Sequence, residues 1–483
     1  MAMDRARRGG GDVDTLTNWR ERLISKTTRP TLVTTYKYWL WLGFLVVISG
    51  NGGLQYWRQW QDGLYVTDMR DRISWGLYIT AFVFFIGISH AGTLISAILR
   101  ATKASWRAPV TRIAEFITVA ALLIGASFVI LDMGRPERIL NVYRFGRWQS
   151  PIMWDVMAIT TYLTASTIYL FAPMIPDLAL YRDRLADKVG AVRNFIYRTL
   201  ALDWNGSPKQ HKLLGKSITI MMLIIIPIAV SVHTVVSWIF SMTLRAGWNT
   251  SIFGVLFVAG AVFSGVATLI IIMAILRRIY RWEEYLTEKH FVYLGYLLAA
   301  FGAFMVYVNI NEYLTEGFNL EEAGVFAFRQ LFLEDFAVMF WFYIVGGLLG
   351  PVVLMLIPKT RTIAGVVAAA ILVDIAMFFE RYFIVVTGLR VPLMPYEPAN
   401  YGPTFVEWSI FAAGLAAFCL LITIAIKIFP MFAVWEMTEE HEAAISGTRA
   451  GEASVVAGAG VAEAGTSMEY FSDAGGQAEE GGS

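Results

Sequence analysis

Residues 252–276 read IFGVLFVAGAVFSGVATLIIIMAIL, a run of twenty-five residues without a charged side chain. A helix needs about 20 mostly apolar residues to cross a bilayer, and lipid cannot satisfy the backbone groups of less regular segments. The sequence therefore predicts an all-α integral membrane protein with ten transmembrane helices. The ten predominantly apolar runs lie at 36–57, 73–99, 109–132, 151–175, 217–241, 252–276, 290–310, 334–357, 362–386 and 405–430.

The composition of the whole chain agrees with a membrane protein. Of its 483 residues 57% are hydrophobic and only 16% are charged, whereas soluble domains carry about 25% charged residues. The formal net charge of +1 argues against a nucleic-acid partner. The single cysteine, Cys419, cannot ligate an iron–sulfur cluster or attach a c-type haem. We therefore expect any such centre to lie on a partner subunit.

Lysine and arginine predict how the bundle is oriented. If the N-terminus is cytoplasmic, the inner segments hold more than twice as many Lys and Arg residues as the outer loops. We therefore predict cytoplasmic termini, with a basic N-terminal segment at 1–35 and a disordered, Gly/Ala/Ser/Glu-rich tail at 438–483. The outer loop 133–150 runs against this bias, because it contains four arginines. They predict either salt bridges and contacts with lipid headgroups, or a surface that docks an outer partner or a redox ligand.

A short internal repeat divides the ten runs. The stretch SHAGTLI at 89–95 recurs as SGVATLI at 264–270, and AILR at 97–100 recurs at 274–277. Both copies run from the outer to the inner face. The repeat predicts two four-helix bundles, spans two to five at 73–241 and spans six to nine at 252–386, flanked by helices at 36–57 and 405–430. Convergence on a small-residue packing motif is the alternative.

Ionisable residues inside the spans mark candidate sites, because they are costly in lipid. Asp132 and Asp155 lie near the outer ends of their spans, and His233 lies roughly 12 Å from the outer end of its span at 1.5 Å per residue. His90 falls in the inner half of its span, so we expect the two histidines at different depths and no haem between them. The second bundle offers Asp374 and Glu380. Arg112 and Glu115 are expected to form an i,i+3 ion pair near the inner surface.

The densest cluster of such residues is at the outer ends of spans three and four. It comprises Asp132-Met133-Gly134-Arg135-Pro136 and Ser150-Pro151-Ile152-Met153-Trp154-Asp155. A carboxylate can accept a hydroxyl proton and aromatic rings can sandwich a ring substrate, so the cluster suits a quinol headgroup. A helix-end ion pair between Asp132 and Arg135 is the structural alternative. Ser150 is expected to cap the helix that starts at Pro151.

At these residues the sequence resembles the NrfD/PsrC family of quinone-reactive membrane subunits. The resemblance covers about 36–430 and rests on Trp75-Gly76-Leu77-Tyr78, on GISHAGTLI at 87–95 and on the two stretches around Asp132 and Asp155. Within the family the chain is most similar to the ActC-type subunits of bacterial alternative complex III. The related ActF type usually has His-x-Gly-Arg-Pro where this chain has Asp132-Met133-Gly134-Arg135-Pro136.

The resemblance implies a function and its partners. Such subunits bind menaquinol or ubiquinol near the periplasmic face of the bacterial inner membrane. They pass electrons to a periplasmic iron–sulfur subunit and then to c-type cytochrome subunits, beside a homologous NrfD-like membrane subunit and lipids. The implied quinol site comprises Trp75, Tyr78, Asp132, Arg135, Trp154 and Asp155, with His90 and His233 in a proton path or the deeper wall of the pocket.

These observations predict a quinol:acceptor oxidoreductase subunit that acts only within its complex. Asp155 or Asp132 takes the first proton, and Arg135 binds the quinone oxygen or the carboxylate. Proton translocation by way of His90, Asp374 and Glu380 is a further hypothesis. Two alternatives stay open, a secondary transporter and a structural membrane anchor for a periplasmic oxidoreductase. The transporter lacks the Gly/Pro-interrupted span pair expected at its site.

Overall fold

The computed structural model describes residues 2–319, 321–392, 394 and 397–442, and nearly all of them are helical. Within this part of the chain nine helices are long and apolar enough to cross a membrane, or ten if the bent pair Leu16–Leu32 and Tyr36–Asp62 counts as one span. The prediction of an all-α integral membrane protein is confirmed. The helices are α1 Ala2–Leu32, α2 Tyr36–Asp62, α3 Leu77–Ala101, α4 Ala108–Asp132, α5 Pro151–Leu185, α6 Ala191–Leu200, α7 Pro208–Ser241, α8 Phe253–Tyr280, α9 Glu288–Asn319, α10 Glu322–Phe332, α11 Ala337–Leu356, α12 Ile363–Arg390 and α13 Phe405–Ile428.

The chain divides into two compact units, one formed by its two ends and the other by Ile24–Ala433. In the first unit residues 434–442 are helical, and the ring of His441 stacks on that of Trp19 at 4.1 Å between centroids. The helix therefore extends five residues into the predicted disordered tail. The rest of that prediction, 443–483, lies outside the described residues.

Local sequence explains where several helices begin. Proline occupies the first turn of α4, α5 and α7, where its missing N–H is not needed. At α13 the side chain of Thr404 accepts a hydrogen bond from the Glu407 amide, and the Glu407 carboxylate accepts one from the Thr404 amide. The two bonds form a complete capping box. Ser150 stands at the N-cap of α5 as predicted, but its hydroxyl makes no capping hydrogen bond.

The buried helices α3 and α8 pack against each other in the middle of the second unit. α3 also packs on α4, and α8 packs on α9 and α12, while α5 pairs with α7 and α2 pairs with α13. The second repeat segment lies against α3 just before the first one, because a Cβ atom at Gly87 would lie 3.2 Å from the Ser264 hydroxyl. A π-helical turn, Ala91–Ile95, follows His90 inside α3, and a second, Phe342–Leu349, lies inside α11. Such turns often occur at functional sites.

Gly92 lets α3 approach α4 at this π-turn, and its replacement by alanine is expected to destabilise the fold. The added Cβ would lie 1.8 Å from the Ala114 carbonyl oxygen and 2.0 Å from the Thr118 hydroxyl, and the first of these is backbone. Overpacking of this kind costs about 1–3 kcal/mol. Thermal unfolding of the Gly92→Ala variant in detergent measures this loss of stability. Gly53→Ala in α2 is the control, since its Cβ would meet nothing within 4 Å. Equal midpoints for the two variants would contradict the prediction.

Candidate functional site

A buried polar face runs along α5. Asp155, Tyr162, Ser166, Tyr169 and Asp177 follow one another at spacings of seven, four, three and eight residues, which keeps them on one side of the helix. All five are buried. Only Asp155 was expected at the site. The repeated polar positions on one helix face were a visible signal for the others.

Asp155 is the carboxylate of this face nearest the predicted outer end. Asp155 is 6% exposed, and its Oδ1 atom has no hydrogen-bond partner among the described residues. The neighbouring Trp154 donates from Nε1 to the Trp148 carbonyl oxygen at 2.5 Å and meets the Trp238 ring edge-on at 6.2 Å. An unpartnered buried acceptor, one residue along the helix from a fixed indole, is an arrangement that a hydroxyl-bearing ring could complete.

Two histidines contact each other deeper in the bundle. The His90 and His233 ring centroids are 3.9 Å apart, and the Tyr162 ring lies 5.3 Å from that of His90. The prediction that the histidines lie at different depths is therefore wrong. Counting residues from a helix end measures position along that helix only, and it ignores the tilt of one helix against another. Tyr162 lies about 10 Å further along α5 than Asp155, so this cluster lies beneath the carboxylate.

The two imidazoles have different surroundings. Nε2 of His90 lies 2.5 Å from the carbonyl oxygen of Ala229 on α7. Nδ1 of His90 lies 3.2 Å from the carbonyl oxygen of Ile86. Neither ring nitrogen of His233 has a hydrogen-bond partner among the described residues. His233 therefore has ring nitrogens available to bind or release a proton.

Polar contacts continue from this cluster toward the predicted inner face. The Tyr162 hydroxyl donates to the Ser89 carbonyl oxygen at 3.1 Å, and the Thr93 and Ser166 hydroxyls are 3.5 Å apart. One turn further, Ser96 lies 3.4 Å from the Tyr169 hydroxyl.

The Ser96 hydroxyl also contacts an ion pair. Ser96 donates to a Glu115 oxygen at 2.6 Å, and Arg100 pairs with the same oxygen at 3.3 Å. Hydroxyl and carboxyl groups thus follow one another from the histidines to a buried carboxylate. None of these residues except Glu115 was singled out from the sequence.

The predicted ion pair between Arg112 and Glu115 is wrong. Arg112 instead pairs with Asp177 on α5 at 3.0 Å, and both side chains are buried. It also donates to the Pro173 carbonyl oxygen at 2.9 Å. A partner sixty-five residues away has no local signature in the sequence.

The residues expected around Asp132 form a separate group. Tyr78 is buried and donates to Gln59 on α2 at 2.6 Å, and Gln59 donates to the Leu131 carbonyl oxygen at 2.8 Å. Oδ1 of Asp132 has no hydrogen-bond partner among the described residues, and no ion pair joins Asp132 to the exposed Arg135 there. In the same described part, no hydrogen bond joins Asp132 to Asp155. The helix-end ion pair is therefore not formed.

Trp75 packs at the predicted outer end of α7. Its half-buried ring stacks on Trp248 at 6.1 Å and meets Phe240 edge-on at 5.7 Å. Phe240 lies on the same helix as Trp238, which contacts Trp154. Trp75 and Trp154 thus flank α7 through different aromatic neighbours.

The second-bundle carboxylates lie in two places. Asp374 accepts a hydrogen bond from Thr268 at 2.9 Å. Glu380 pairs with Arg381 at 2.8 Å, and both side chains are 1% exposed. Among the described residues no hydrogen bond or ion pair links Glu380 or Asp374 to the histidine pair. Across the described residues no cluster of three or more His, Cys, Asp or Glu is placed to hold a metal ion.

The fold and these clusters define a polytopic membrane protein with buried proton-accepting groups along one helix. The chain belongs to the family described as polysulphide reductase, NrfD, whose match covers residues 65–392. The family predicted from the sequence is confirmed.

Curated relatives match about four fifths of this chain and about nine tenths of their own length. A Halobacterium salinarum chain, provisionally named as a membrane subunit of a dimethyl sulfoxide reductase, is 26% identical over 81% of this chain and 91% of its own. A selenate reductase subunit from Mesobacillus selenatarsenatis is 22% identical over 82% and 94%. The Hdr-like menaquinol oxidoreductase integral membrane subunit of Archaeoglobus fulgidus is 23% identical over 77% and 89%.

Proposed function

We propose that this chain is the quinone-binding membrane subunit of an oxidoreductase complex and that it binds menaquinol or ubiquinol beside Asp155. The observation that carries the proposal is a buried carboxylate with an unpartnered oxygen next to Trp154, near the predicted outer end of α5. The names of relatives support it, since one is a menaquinol oxidoreductase subunit and another a menaquinone reductase subunit.

The site residues have distinct proposed roles. Asp155 accepts a hydroxyl proton, and Trp154 walls the ring. Asp132 is a second carboxylate reached from the α2 side, held near Tyr78, and Arg135 stands at the exposed mouth. Trp75 closes the outer end of α7. His90 and His233 form the deeper wall.

The proposed reaction removes two protons and two electrons from the quinol and leaves the quinone. The first proton goes to Asp155, the second is released to water at the outer face, and the two electrons go to a periplasmic iron–sulfur subunit and from there to c-type cytochrome subunits. Four exposed arginines of the outer loop offer a docking surface for the first acceptor. They are Arg135, Arg138, Arg144 and Arg147.

The finer identity is an alternative complex III type subunit beside a homologous membrane subunit. We propose the bacterial inner membrane as its location, with both termini cytoplasmic. We also propose that the helices form two four-helix bundles, 73–241 and 252–386, and that the quinol site lies in the first. The start of α2 and the ends of α8 and α13 line one groove and so share a face, as that topology requires.

Purification of the intact complex tests this function. We expect iron–sulfur and c-haem subunits to accompany the chain, and the complex to oxidise a soluble menaquinol analogue with an external electron acceptor. Substrate flux through the isolated chain in liposomes would favour a transporter instead. Oxidation that persists after Asp132 and Asp155 are both replaced would favour a structural anchor.

The polar contacts below Asp155 support a proton path toward the predicted inner face, together with His90, Asp374 and Glu380. Tyr162→Phe keeps the ring that lies 5.3 Å from that of His90 and removes the hydroxyl that donates to the Ser89 carbonyl oxygen. We expect the number of protons translocated per electron to fall toward zero, because the relay loses a hydroxyl that can accept and donate a proton.

A pH-sensitive dye inside proteoliposomes measures this change. Tyr143→Phe is the control, because that exposed hydroxyl meets only Thr160, at 2.9 Å, among the described residues. An unchanged proton-to-electron ratio in Tyr162→Phe would exclude Tyr162 from the path.

A further inference from the structure

A large apolar groove opens at the face where α2 begins and where α8 and α13 end. Its volume is about 1090 Å³. The apolar wall runs along α8 from Ile272 to Ile279 and along α13 from Phe418 to Ile426, with Trp41 of α2 on a third side. At 1.5 Å per residue the wall is roughly 10–12 Å deep. It is therefore long enough to hold part of an extended hydrocarbon chain.

Cationic side chains stand at the mouth of this groove, and the described residues that line it include no carboxylate. The cations are Lys26, Arg29, Lys37, Arg281 and Lys427. Among the described residues the first four form no ion pair, and Arg29, Lys37 and Arg281 are exposed. The mouth therefore carries uncompensated positive charge at the end of an apolar channel.

The mouth of the groove is held in a defined conformation. Nζ of Lys427 donates to the carbonyl oxygens of Pro30 and Val33, each at 2.7 Å, and lies 4.6 Å from the centre of the Tyr38 ring. These contacts fix the α1–α2 junction against α13. Arg281 ends α8 in the left-handed conformation at φ 55°, which is uncommon for a residue with a side chain.

We propose that this groove binds one anionic phospholipid, with the headgroup phosphate at Lys26, Arg29, Lys37 and Arg281 and an acyl chain along the α8–α13 wall. Charge complementarity favours this occupant. A partner helix would need an acidic end to match the cations, whereas every anionic lipid carries a negatively charged headgroup. Basic pockets between transmembrane helices on the cytoplasmic side are a known setting for anionic headgroups. The predicted topology places the groove on that side. The inference does not depend on the proposed quinol chemistry.

The experiment compares lipid binding by the purified, delipidated complex. Bound lipid is counted by mass spectrometry after addition of phosphatidylglycerol or phosphatidylcholine in nanodiscs. We expect about one phosphatidylglycerol per chain to survive washing, and we expect Lys37→Gln with Arg281→Gln to weaken its binding about tenfold or more.

The matched control is Arg278→Gln with Lys289→Gln, which removes two exposed cations outside the groove near the same face. Three results would overturn the proposal: equal retention of both lipids, equal loss in both double variants, or a co-purifying protein segment in the groove. Unfolding midpoints of the two double variants distinguish lost binding from lost fold. Their quinol oxidation rates are measured separately.

Discussion

Asp155→Asn is expected to reduce quinol oxidation by the assembled complex by about 10²–10⁴-fold, the usual contribution of a positioned proton acceptor. Asparagine has nearly the volume of aspartate but cannot take the proton. The side chain is 6% exposed and one carboxylate oxygen has no partner among the described residues. Loss of the acceptor should therefore lower kcat more than it raises KM, because the ring still meets Trp154.

The control for this substitution is Asp71→Asn, which changes an exposed aspartate in the loop before α3. Steady-state oxidation by both variants is measured on complexes that retain all their subunits. Asp132→Asn is measured beside them, since Asp132 lies in a different group of residues. If the Asp155→Asn complex keeps its wild-type rate, a group other than Asp155 accepts the proton. Unchanged rates in both carboxylate variants would refute the proposed site.

The transmembrane character of the chain could be predicted because lipid selects long apolar runs. The helix ends were less accessible to prediction. α5 extends to Leu185 and α7 begins at Pro208, about ten residues beyond the runs at 151–175 and 217–241. These extensions carry charged side chains, so an apolar run marks only the middle of such a helix.

The identity of the polar residues could be read from the sequence, but their partners could not. Spacing along one helix suggested that Arg112 pairs with Glu115, whereas packing between helices gives Arg112 to Asp177 and Glu115 to Arg100. For the same reason the sequence predicted different depths for His90 and His233, although their ring centroids lie 3.9 Å apart. Distances between helices depend on tilt and on side-chain reach, which no single segment encodes.

Arg112→Met is expected to destabilise the subunit by about 3–5 kcal/mol, because it removes the buried guanidinium that pairs with the Asp177 carboxylate. The pair is 3.0 Å long, with side-chain exposures of 0% and 2%. The Pro173 carbonyl oxygen also loses the donor that lies 2.9 Å away. Unfolding in detergent and the amount of assembled complex measure the loss. Arg58→Met is the matched control, since its pair with Asp62 is exposed at 65% and 53% and such pairs contribute about 0–1 kcal/mol.

The double variant Arg112→Met with Asp177→Leu separates charge from geometry. Replacing a buried ion pair by apolar residues of similar volume is often neutral or stabilising, so the double variant should recover most of the stability that Arg112→Met loses. Recovery would show that each charge is needed mainly to neutralise the other. If the single variant is no less stable than Arg58→Met, the pair does not carry the cost of a buried charge. If the double variant stays as unstable as the single one, the guanidinium is needed for its bond to Pro173, where it holds α4 against α5 beneath the proposed proton path.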